Sequence, residues 1–144
     1  MKATNQMRLS FPARSVNESF GRAAVAAFLV AADPTLEELC DVKTAVSEAI
    51  TNVIVHAYRG GTGTVYISAA LYPDGRFSVK IRDTGCGIPD IERAMEPTFT
   101  TDPQGERAGL GFAVMSELMD KVRVRSAPGK GTTVLLERRP KLCD

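Results

Sequence analysis

The sequence lacks any apolar run long enough to cross a membrane. Its longest uncharged apolar stretch, Ala23 to Ala32, covers ten residues, whereas a membrane-spanning helix needs about 20. This stretch therefore predicts a buried helix. The N-terminal residues include Lys2 but no apolar segment of the kind that secretory signals carry, so we expect no signal peptide and no membrane partner.

An excess of charge of one sign is also missing. Lysine and arginine together number 18 and aspartate and glutamate 17, for a net charge of +1. Binding to nucleic acid depends on a large positive field, so we expect no direct nucleic-acid partner. Cysteine is scarce: Cys40, Cys86 and Cys143 are odd in number, lie far apart and have no zinc-site spacing. This pattern predicts reduced thiols in a cytoplasmic protein.

The remaining composition is that of an ordinary folded domain. The chain has 144 residues, of which 44% are apolar and 24% charged. These values exclude a wholly disordered or collagen-like chain. The length suits one compact domain with its own core, and we predict a single domain over residues 1–144.

Hydrophobic patterning predicts the element order β, α, α, β, β, long loop, α, β, β. Met7 to Phe11 alternates apolar and polar residues, as a half-buried strand does. Ser15 and Glu18 have the spacing of a capping box, which predicts a helix from there to about Asp33. The other predicted strands are Thr64–Tyr72, Phe77–Asp83, Val122–Ser126 and Thr132–Glu137, and the other helical segments after the second helix are Ile91–Met95 and Leu110–Met119.

The second helix has two competing start signals and should end near Tyr58, before Gly60-Gly61. Asp33-Pro34 offers an N-cap with proline in the first turn, and Thr35 with Glu38 offers a capping box. Both alternatives stay open. Tight turns between paired strands exclude an all-parallel sheet. We therefore predict an α+β fold, a two-layer sandwich of a mixed or antiparallel sheet with helices on one face.

A polar row on the second helix borders its apolar face. Thr44, Glu48, Asn52 and His56 are spaced by four residues and therefore stack on one side of the helix. A solvated face is the ordinary explanation, but the flanking residues are too apolar for it. A carboxylate one turn from an amide can hold a hard cation and orient a hydroxyl group. We assign His56 no catalytic role.

The segment from Asp83 to Gly87 follows a strand whose alternation points Asp83 inward. A buried aspartate must be hydrogen-bonded or it destabilises the fold. Glycines directly after it allow the close approach of a flat ligand and unusual backbone angles. An ordinary Asp-Gly turn is the alternative, because this pattern alone is weak.

A glycine-rich segment, Glu106 to Gly111, runs into the third long helix. Free backbone N–H groups and the positive helix end suit a phosphate, and Arg107 adds a planar charged group. The segment is not a Walker A loop, because no GxxxxGK[ST] pattern occurs. No strand leads directly into it, which argues against a dinucleotide fingerprint. A flexible linker is the alternative.

The order of these three segments is more specific than any one of them. ExxxN on a helix, DxGxG after a strand, a long loop and GxG opening a helix resemble the boxes of the GHKL (Bergerat-fold) ATPases. Gly131-Thr132-Thr133 is similar to the GT that ends the nucleotide pocket of that family. The resemblance covers Glu37 to Leu136.

The flanking segments narrow the resemblance. The single histidine leaves no phosphoacceptor helix pair of the histidine-kinase type. Ala13–Arg22, Val46–Asn52 and Glu106–Phe112 resemble the bacterial anti-sigma serine kinases, most closely the anti-sigma-F factors of endospore formers. The resemblance implies a homodimer that binds ATP and Mg²⁺ and holds a sporulation sigma factor inactive. It also implies that the protein phosphorylates a serine of an anti-anti-sigma protein.

The resemblance also implies site residues. Glu48 corresponds to the catalytic base, Asn52 to the Mg²⁺ ligand and Asp83 to the acceptor for the adenine amino group. Arg107 corresponds to a catalytic arginine at the γ-phosphate, directly after a mobile ATP lid that the resemblance implies at about 89–106. Further nucleotide-binding positions flank the base, face the phosphates or close the adenine side: Gly85, Gly87, Gly109, Gly111 and Thr132. Arg22 corresponds to an arginine that contacts both protein partners.

Three other functions share parts of this pattern. A general stress anti-sigma serine kinase would use the same chemistry on a different sigma factor. An ATP-binding protein that sequesters a partner with negligible turnover would not require Glu48. A detached histidine-kinase ATPase domain would phosphorylate histidine on its partner.

Overall fold

The computed structural model describes residues 1–96 and 111–139. The strands are β1 (Asn5–Pro12), β2 (Thr64–Leu71), β3 (Phe77–Arg82), β4 (Lys121–Ala127) and β5 (Gly131–Arg138). The α-helices are α1 (Glu18–Leu29), α2 (Leu36–Asn52), α3 (Ile91–Ala94) and α4 (Gly111–Leu118). Each predicted strand and helix is therefore present within a few residues of its expected bounds. Leu110, the predicted start of α4, lies outside the described residues.

The five strands form one sheet in the order β1-β2-β3-β5-β4. All four pairings between the described strands are antiparallel. The sequence predicts either a mixed or an antiparallel sheet. Among the described residues the sheet is antiparallel, because no two of these strands pair in parallel. The β2–β3 and β4–β5 neighbours are joined by short turns, which favour antiparallel pairing, whereas α1 and α2 lie between β1 and β2 in the chain.

Helices cover one face of the sheet, as expected for a two-layer sandwich. Ile67 pairs with Ile81, and Ile81 pairs with Val134, so their side chains form a row across three strands. All three are buried. Helix α2 lies over this face and contacts both α1 and α4. Its residues Val42 and Val46 have no exposed surface, which makes α2 the central helix of the core.

The start of α2 resolves the two alternatives left by the sequence. Thr35 Oγ1 accepts a hydrogen bond from Glu38 N, and Glu38 Oε1 accepts one from Thr35 N, both at 3.1 Å. This is the capping box. Asp33 instead has a left-handed backbone, with φ of +52°, which ends the preceding helical turn.

The capping box predicted at Ser15 is wrong. Residues Ser15–Asn17 form a 3₁₀ turn, and neither this turn nor α1 has a side-chain cap. Glu18 turns toward α2 instead, where its carboxylate accepts a hydrogen bond from the Ser47 hydroxyl. Its Oε1 also lies 3.8 Å from the Arg22 guanidinium. The Glu18 side chain therefore contacts α2 and is not used for the capping box that the sequence predicts.

The end of α2 differs from a simple α-helix. After Asn52 the chain continues as a π-helical turn, Val53–Ala57, so the helical path does reach Tyr58 as predicted but with a wider last turn. Arg59 and Gly60 then adopt left-handed backbones, with φ of +46° and +82°. A π turn is rare and is found preferentially at functional sites.

No helix in residues 1–96 or 111–139 combines the length and apolarity needed to span a bilayer. Cys40 and Cys86 are free thiols. Cys143 lies outside the described residues.

Candidate functional site

A cavity of about 300 Å³ opens between α2, the loop after β3, strand β5 and the start of α4. Five residues predicted for the site line it: Asn52, Asp83, Gly87, Gly111 and Thr132. Its walls are largely apolar, with Val53, Ile81, Phe112 and Val134 among the lining side chains. Few polar groups in an apolar cavity of this size are typical of a small-molecule site.

Asp83 is the buried carboxylate of this cavity, with 5% of its surface exposed. Its Oδ1 accepts hydrogen bonds from Gly85 N at 2.9 Å and from Thr132 N at 3.2 Å. Both of these hydrogen bonds to described residues use Oδ1, so Oδ2 remains for a ligand in the cavity. Burial raises the pKa of the Asp83 carboxyl above its usual value, although the two backbone hydrogen bonds and Arg82 act in the opposite direction.

Thr132 joins Asp83 to the hairpin formed by β4 and β5. Its backbone oxygen accepts a hydrogen bond from Asp83 N at 2.9 Å, and its Oγ1 lies 2.8 Å from Ser126 Oγ. Ser126 Oγ also accepts from Ile88 N at 2.7 Å and donates to Gly131 O at 3.0 Å. Ser126 therefore holds the loop after β3 against the hairpin, a role that no motif in the sequence indicated.

The glycines of the loop after β3 are required by close backbone approach. A Cβ on Gly85 would overlap the carbonyl oxygen of Ala57, at the end of the π turn. Gly87 has φ of +77°, and a Cβ there would overlap the carbonyl oxygen of Ala127. Gly87 lines the cavity, whereas Gly85 is not among its lining residues and packs against Ala57. The loop is therefore fixed from two sides, by the π turn that follows α2 and by the hairpin.

The polar row of α2 meets the first residue of α4. Glu48 is buried, with 8% of its surface exposed, and Asn52 is half-buried. A Cβ on Gly111 would lie 3.2 Å from both amide atoms of Asn52 and 3.3 Å from Glu48 Oε2. The missing side chain at Gly111 therefore brings the backbone of α4 directly against this carboxylate and amide. Thr44, in contrast, is exposed.

Comparison with known proteins assigns the family. A family model described as a histidine kinase-like ATPase domain matches residues 11–138. An anti-sigma F factor of Caldanaerobacter subterraneus subsp. tengcongensis is 49% identical over 138 residues, which cover 96% of each chain. An anti-sigma F factor of Halalkalibacterium halodurans is 50% identical over 135 residues, 93% of this chain and 92% of that one. The chain belongs to the anti-sigma F factor family.

Solved structures agree with this family in fold. The crystal structure of the RsbU and RsbW domains of a Mycobacterium tuberculosis protein superposes with a TM-score of 0.69 at 20% identity. The match covers 95% of this chain and 33% of that longer one. The predicted resemblance of the sequence to the anti-sigma F family and to the GHKL fold is thus confirmed.

The resemblance to the GHKL ATPases implies a Mg²⁺ ion bound with the nucleotide. The oxygen donors present in the cavity fit this ion. No cluster of three or more His, Cys, Asp or Glu ligands occurs in the part of the chain that the structure describes. Mg²⁺ with a nucleotide needs only one or two protein oxygens, because phosphates and water complete its shell. The Asn52 amide lines the cavity and adjoins the Glu48 carboxylate, which is the oxygen chemistry that this ion prefers.

Other predicted residues lie away from the cavity or outside the described residues. Arg107 and Gly109, and most of the predicted lid, fall in the range 97–110. Arg22 lies on α1, with 39% of its side chain exposed, and is paired with Glu18. It does not line the cavity.

Among the lining residues that were not predicted as site residues are three basic ones: His56, Arg59 and Arg93. His56 shares the four-residue spacing of Glu48 and Asn52, a signal that could have placed it there. Arg93 belongs to α3 and lies within the predicted lid at about 89–106, whereas Arg59 follows the π turn and has no periodicity that points to the cavity.

Proposed function

We propose that this protein is a cytoplasmic, homodimeric anti-sigma factor and protein serine kinase. It binds and inhibits a sporulation sigma factor, and it phosphorylates a serine of an anti-anti-sigma protein with Mg·ATP. The similarity to anti-sigma F factors supports a sigma factor as partner, and the histidine kinase-like ATPase domain supports the use of ATP.

One observation supports the kinase activity most directly. A single cavity has the Asp83 carboxylate at one side and the Asn52 amide at another, with the buried Glu48 carboxylate next to Asn52. The Asp83 side suits an adenine ring, because Oδ2 is left to accept a hydrogen bond from the amino group. The Asn52 side suits phosphates, because the N-terminus of α4 attracts negative charge.

The proposed reaction is phosphoryl transfer to a serine hydroxyl. The serine oxygen attacks the γ-phosphorus, the bond from that phosphorus to the bridging oxygen breaks, and ADP leaves. Glu48 accepts the proton of the hydroxyl. Such a reaction depends on positioning and on neutralisation of charge, and a carboxylate held by a helix meets the first requirement.

Magnesium and the predicted lid complete the proposal. Asn52 would hold the Mg²⁺ ion, which neutralises charge on the phosphates when bound. A lid at about 89–106 is proposed to close over the nucleotide, and Arg107 and Gly109, which follow it, are proposed to contact the γ-phosphate and the phosphate chain. The whole chain, residues 1–144, is proposed to act as one domain.

The decisive experiment is incubation of the purified protein with γ-labelled ATP, Mg²⁺ and a candidate anti-anti-sigma protein. We expect acid-stable phosphoserine on the added protein. Acid-labile phosphohistidine would instead indicate a detached histidine-kinase domain. Binding of ATP and sigma factor without any phosphoprotein would indicate a sequestering protein with negligible turnover.

The identity of the sigma factor requires a separate comparison. The protein should bind a sporulation sigma factor of the sigma-F type more tightly than a general stress sigma factor from the same organism. The reverse order of affinities would indicate the general stress anti-sigma kinase.

Arg22 should contribute to partner binding and not to nucleotide binding. We expect Arg22→Ala to weaken binding of both the sigma factor and the anti-anti-sigma protein by about fivefold or more, the usual scale for an interfacial arginine. ATP affinity should not change, because Arg22 lies on α1 and outside the cavity. Titration calorimetry with each ligand measures these affinities.

Arg8→Ala is the matched control, because Arg8 is an exposed arginine on β1. It should leave all three affinities unchanged. Unaltered partner binding by Arg22→Ala would make Arg22 an ordinary surface arginine.

A further inference from the structure

The π turn at the end of α2 is joined to the loop after β3 by several backbone contacts. Ala57 O accepts a hydrogen bond from Cys86 N at 2.8 Å. Cys86 Sγ donates to His56 O at 3.5 Å, and Gly85 packs directly against Ala57. Carbonyl groups at the end of the π turn therefore accept hydrogen bonds from the loop that follows Asp83.

Tyr58 is the first residue after the π turn, and its side chain makes a second connection to that loop. Its hydroxyl donates a hydrogen bond to Thr64 O at 2.7 Å, at the start of β2. The same oxygen accepts a hydrogen bond from Thr84 N at 3.0 Å. The ring packs over Gly63, where a Cβ would overlap the ring. Gly63 therefore makes room for the tyrosine.

The hydrogen bond from Thr84 N to the Tyr58 hydroxyl lies next to Asp83, whose carboxylate is proposed to bind the adenine base. Thr84 lies between Asp83, whose carboxylate lines the cavity, and Gly85, whose N–H donates to Asp83 Oδ1. The Thr84 N–H belongs to the peptide that joins it to Asp83. Fixing this peptide fixes the backbone from which the Asp83 side chain extends. Tyr58 itself does not line the cavity.

We propose that Tyr58 is a positioning residue that sets base selectivity. Its hydroxyl holds the peptide between Asp83 and Thr84 against the start of β2, so that Asp83 is aimed at the six-position of a purine ring. This inference rests on the proposed binding of ATP. It assigns to the end of α2, the helix that carries Glu48 and Asn52, a part in adenine recognition as well.

The first test is Tyr58→Phe, which removes the hydroxyl and keeps the ring. ATP affinity should fall by roughly three- to thirtyfold, the scale expected for loss of two ordinary hydrogen bonds. GTP affinity should change less, because guanine has a carbonyl group at the six-position and cannot donate a hydrogen bond to Asp83 from there. The contacts to phosphates are common to both nucleotides. The ratio of the two affinities, measured by titration calorimetry, should therefore fall. Tyr66→Phe is the control, because the Tyr66 ring lies under Arg82 and away from the cavity.

The second test displaces Tyr58 without removing its hydroxyl. Gly63→Ala introduces a Cβ into the space of the tyrosine ring, and it should lower the same affinity ratio. Gly61→Ala is its control, because a Cβ there would meet only Tyr58 O, at 3.1 Å. Thermal unfolding of all four variants verifies folding, and the Gly63→Ala result decides the question if Tyr58→Phe does not fold.

The outcomes separate this inference from the proposed function. A lower ATP-to-GTP ratio in Tyr58→Phe and in Gly63→Ala, with both controls unchanged, supports positioning by Tyr58. Equal losses of ATP and GTP affinity would show a merely structural role and overturn it. Unchanged affinities in both variants would overturn it as well while the nucleotide site stands. A wild-type protein that binds neither nucleotide would refute the proposed function and this inference together.

Discussion

Replacement of Glu48 by glutamine should lower the rate of phosphoserine formation by about 10²- to 10⁴-fold, the usual effect of losing a positioned general base. Glutamine keeps the size of the side chain but cannot accept the proton of the serine hydroxyl. Affinity for ATP and for the sigma factor should change little, because the lost interaction matters mainly in the transition state. Phosphoserine formation and sigma binding should be measured on the same preparation.

The position of Glu48 makes the glutamine variant informative. The carboxylate is buried beside Asn52 and approaches the first residue of α4, so an isosteric replacement preserves the packing there. Glu37→Gln is the matched control, because Glu37 is exposed in the first turn of the same helix. This control should phosphorylate at the wild-type rate.

Two results would contradict the role assigned to Glu48. Normal phosphorylation by Glu48→Gln would exclude it as the general base. Loss of phosphorylation together with loss of ATP and sigma binding would make it a residue of the metal site or of the fold.

Asp83→Asn should lower ATP affinity by about 10- to 100-fold, the scale of a hydrogen bond to a charged group. The amide oxygen can still accept from Gly85 N and Thr132 N, as Oδ1 does in the native protein. The amide NH₂ group then faces the adenine amino group, so that two donors oppose each other. Guanine has a carbonyl acceptor at that position, so the wild-type preference for ATP over GTP should also decrease in this variant.

Equilibrium binding of ATP and GTP to the wild-type protein and to Asp83→Asn measures this change. Asp74→Asn, in the turn between β2 and β3, is the control for loss of a carboxylate. Wild-type protein that binds GTP as tightly as ATP would refute the assignment of Asp83 to the adenine.

Thermal unfolding without nucleotide distinguishes loss of recognition from misfolding. Burial raises the pKa of Asp83, so the folded state favours the protonated form. The associated stability is present at low pH and is lost as the pH rises through the pKa of the folded state. Ligand-free Asp83→Asn should therefore be at least as stable as the wild type at neutral pH, and the difference should shrink in acid. A clearly lower unfolding temperature at pH 7 would indicate damage to the fold.

The element order of this protein follows from local signals in its sequence. Period-two alternation located β1 and β3, and the turn residues Pro73-Asp74-Gly75 located the β2–β3 hairpin. The α2 helix was predicted from its apolar periodicity. These signals suffice because burial of one face is decided by residues two to four positions apart, within a single element.

Capping shows where local signals stop being sufficient. Thr35 and Glu38 form the capping box that their spacing allows, and both of its hydrogen bonds lie at the exposed surface. Ser15 and Glu18 have the same spacing, yet Glu18 contacts Ser47 and Arg22 instead. The difference arises from a neighbouring helix, which the local sequence around Ser15 does not contain.

The sequence by itself determined the fold class, the family and the residues Asn52, Asp83, Gly87, Gly111 and Thr132, which the fold brings to one cavity. Only the tertiary structure decided how that cavity is held together. The Ser126 hydroxyl, the π turn at Val53–Ala57 and the Tyr58 hydroxyl all act through contacts between segments distant in the chain. Such contacts have no period and no fixed spacing, because they depend on which surfaces meet when the helices pack on the sheet.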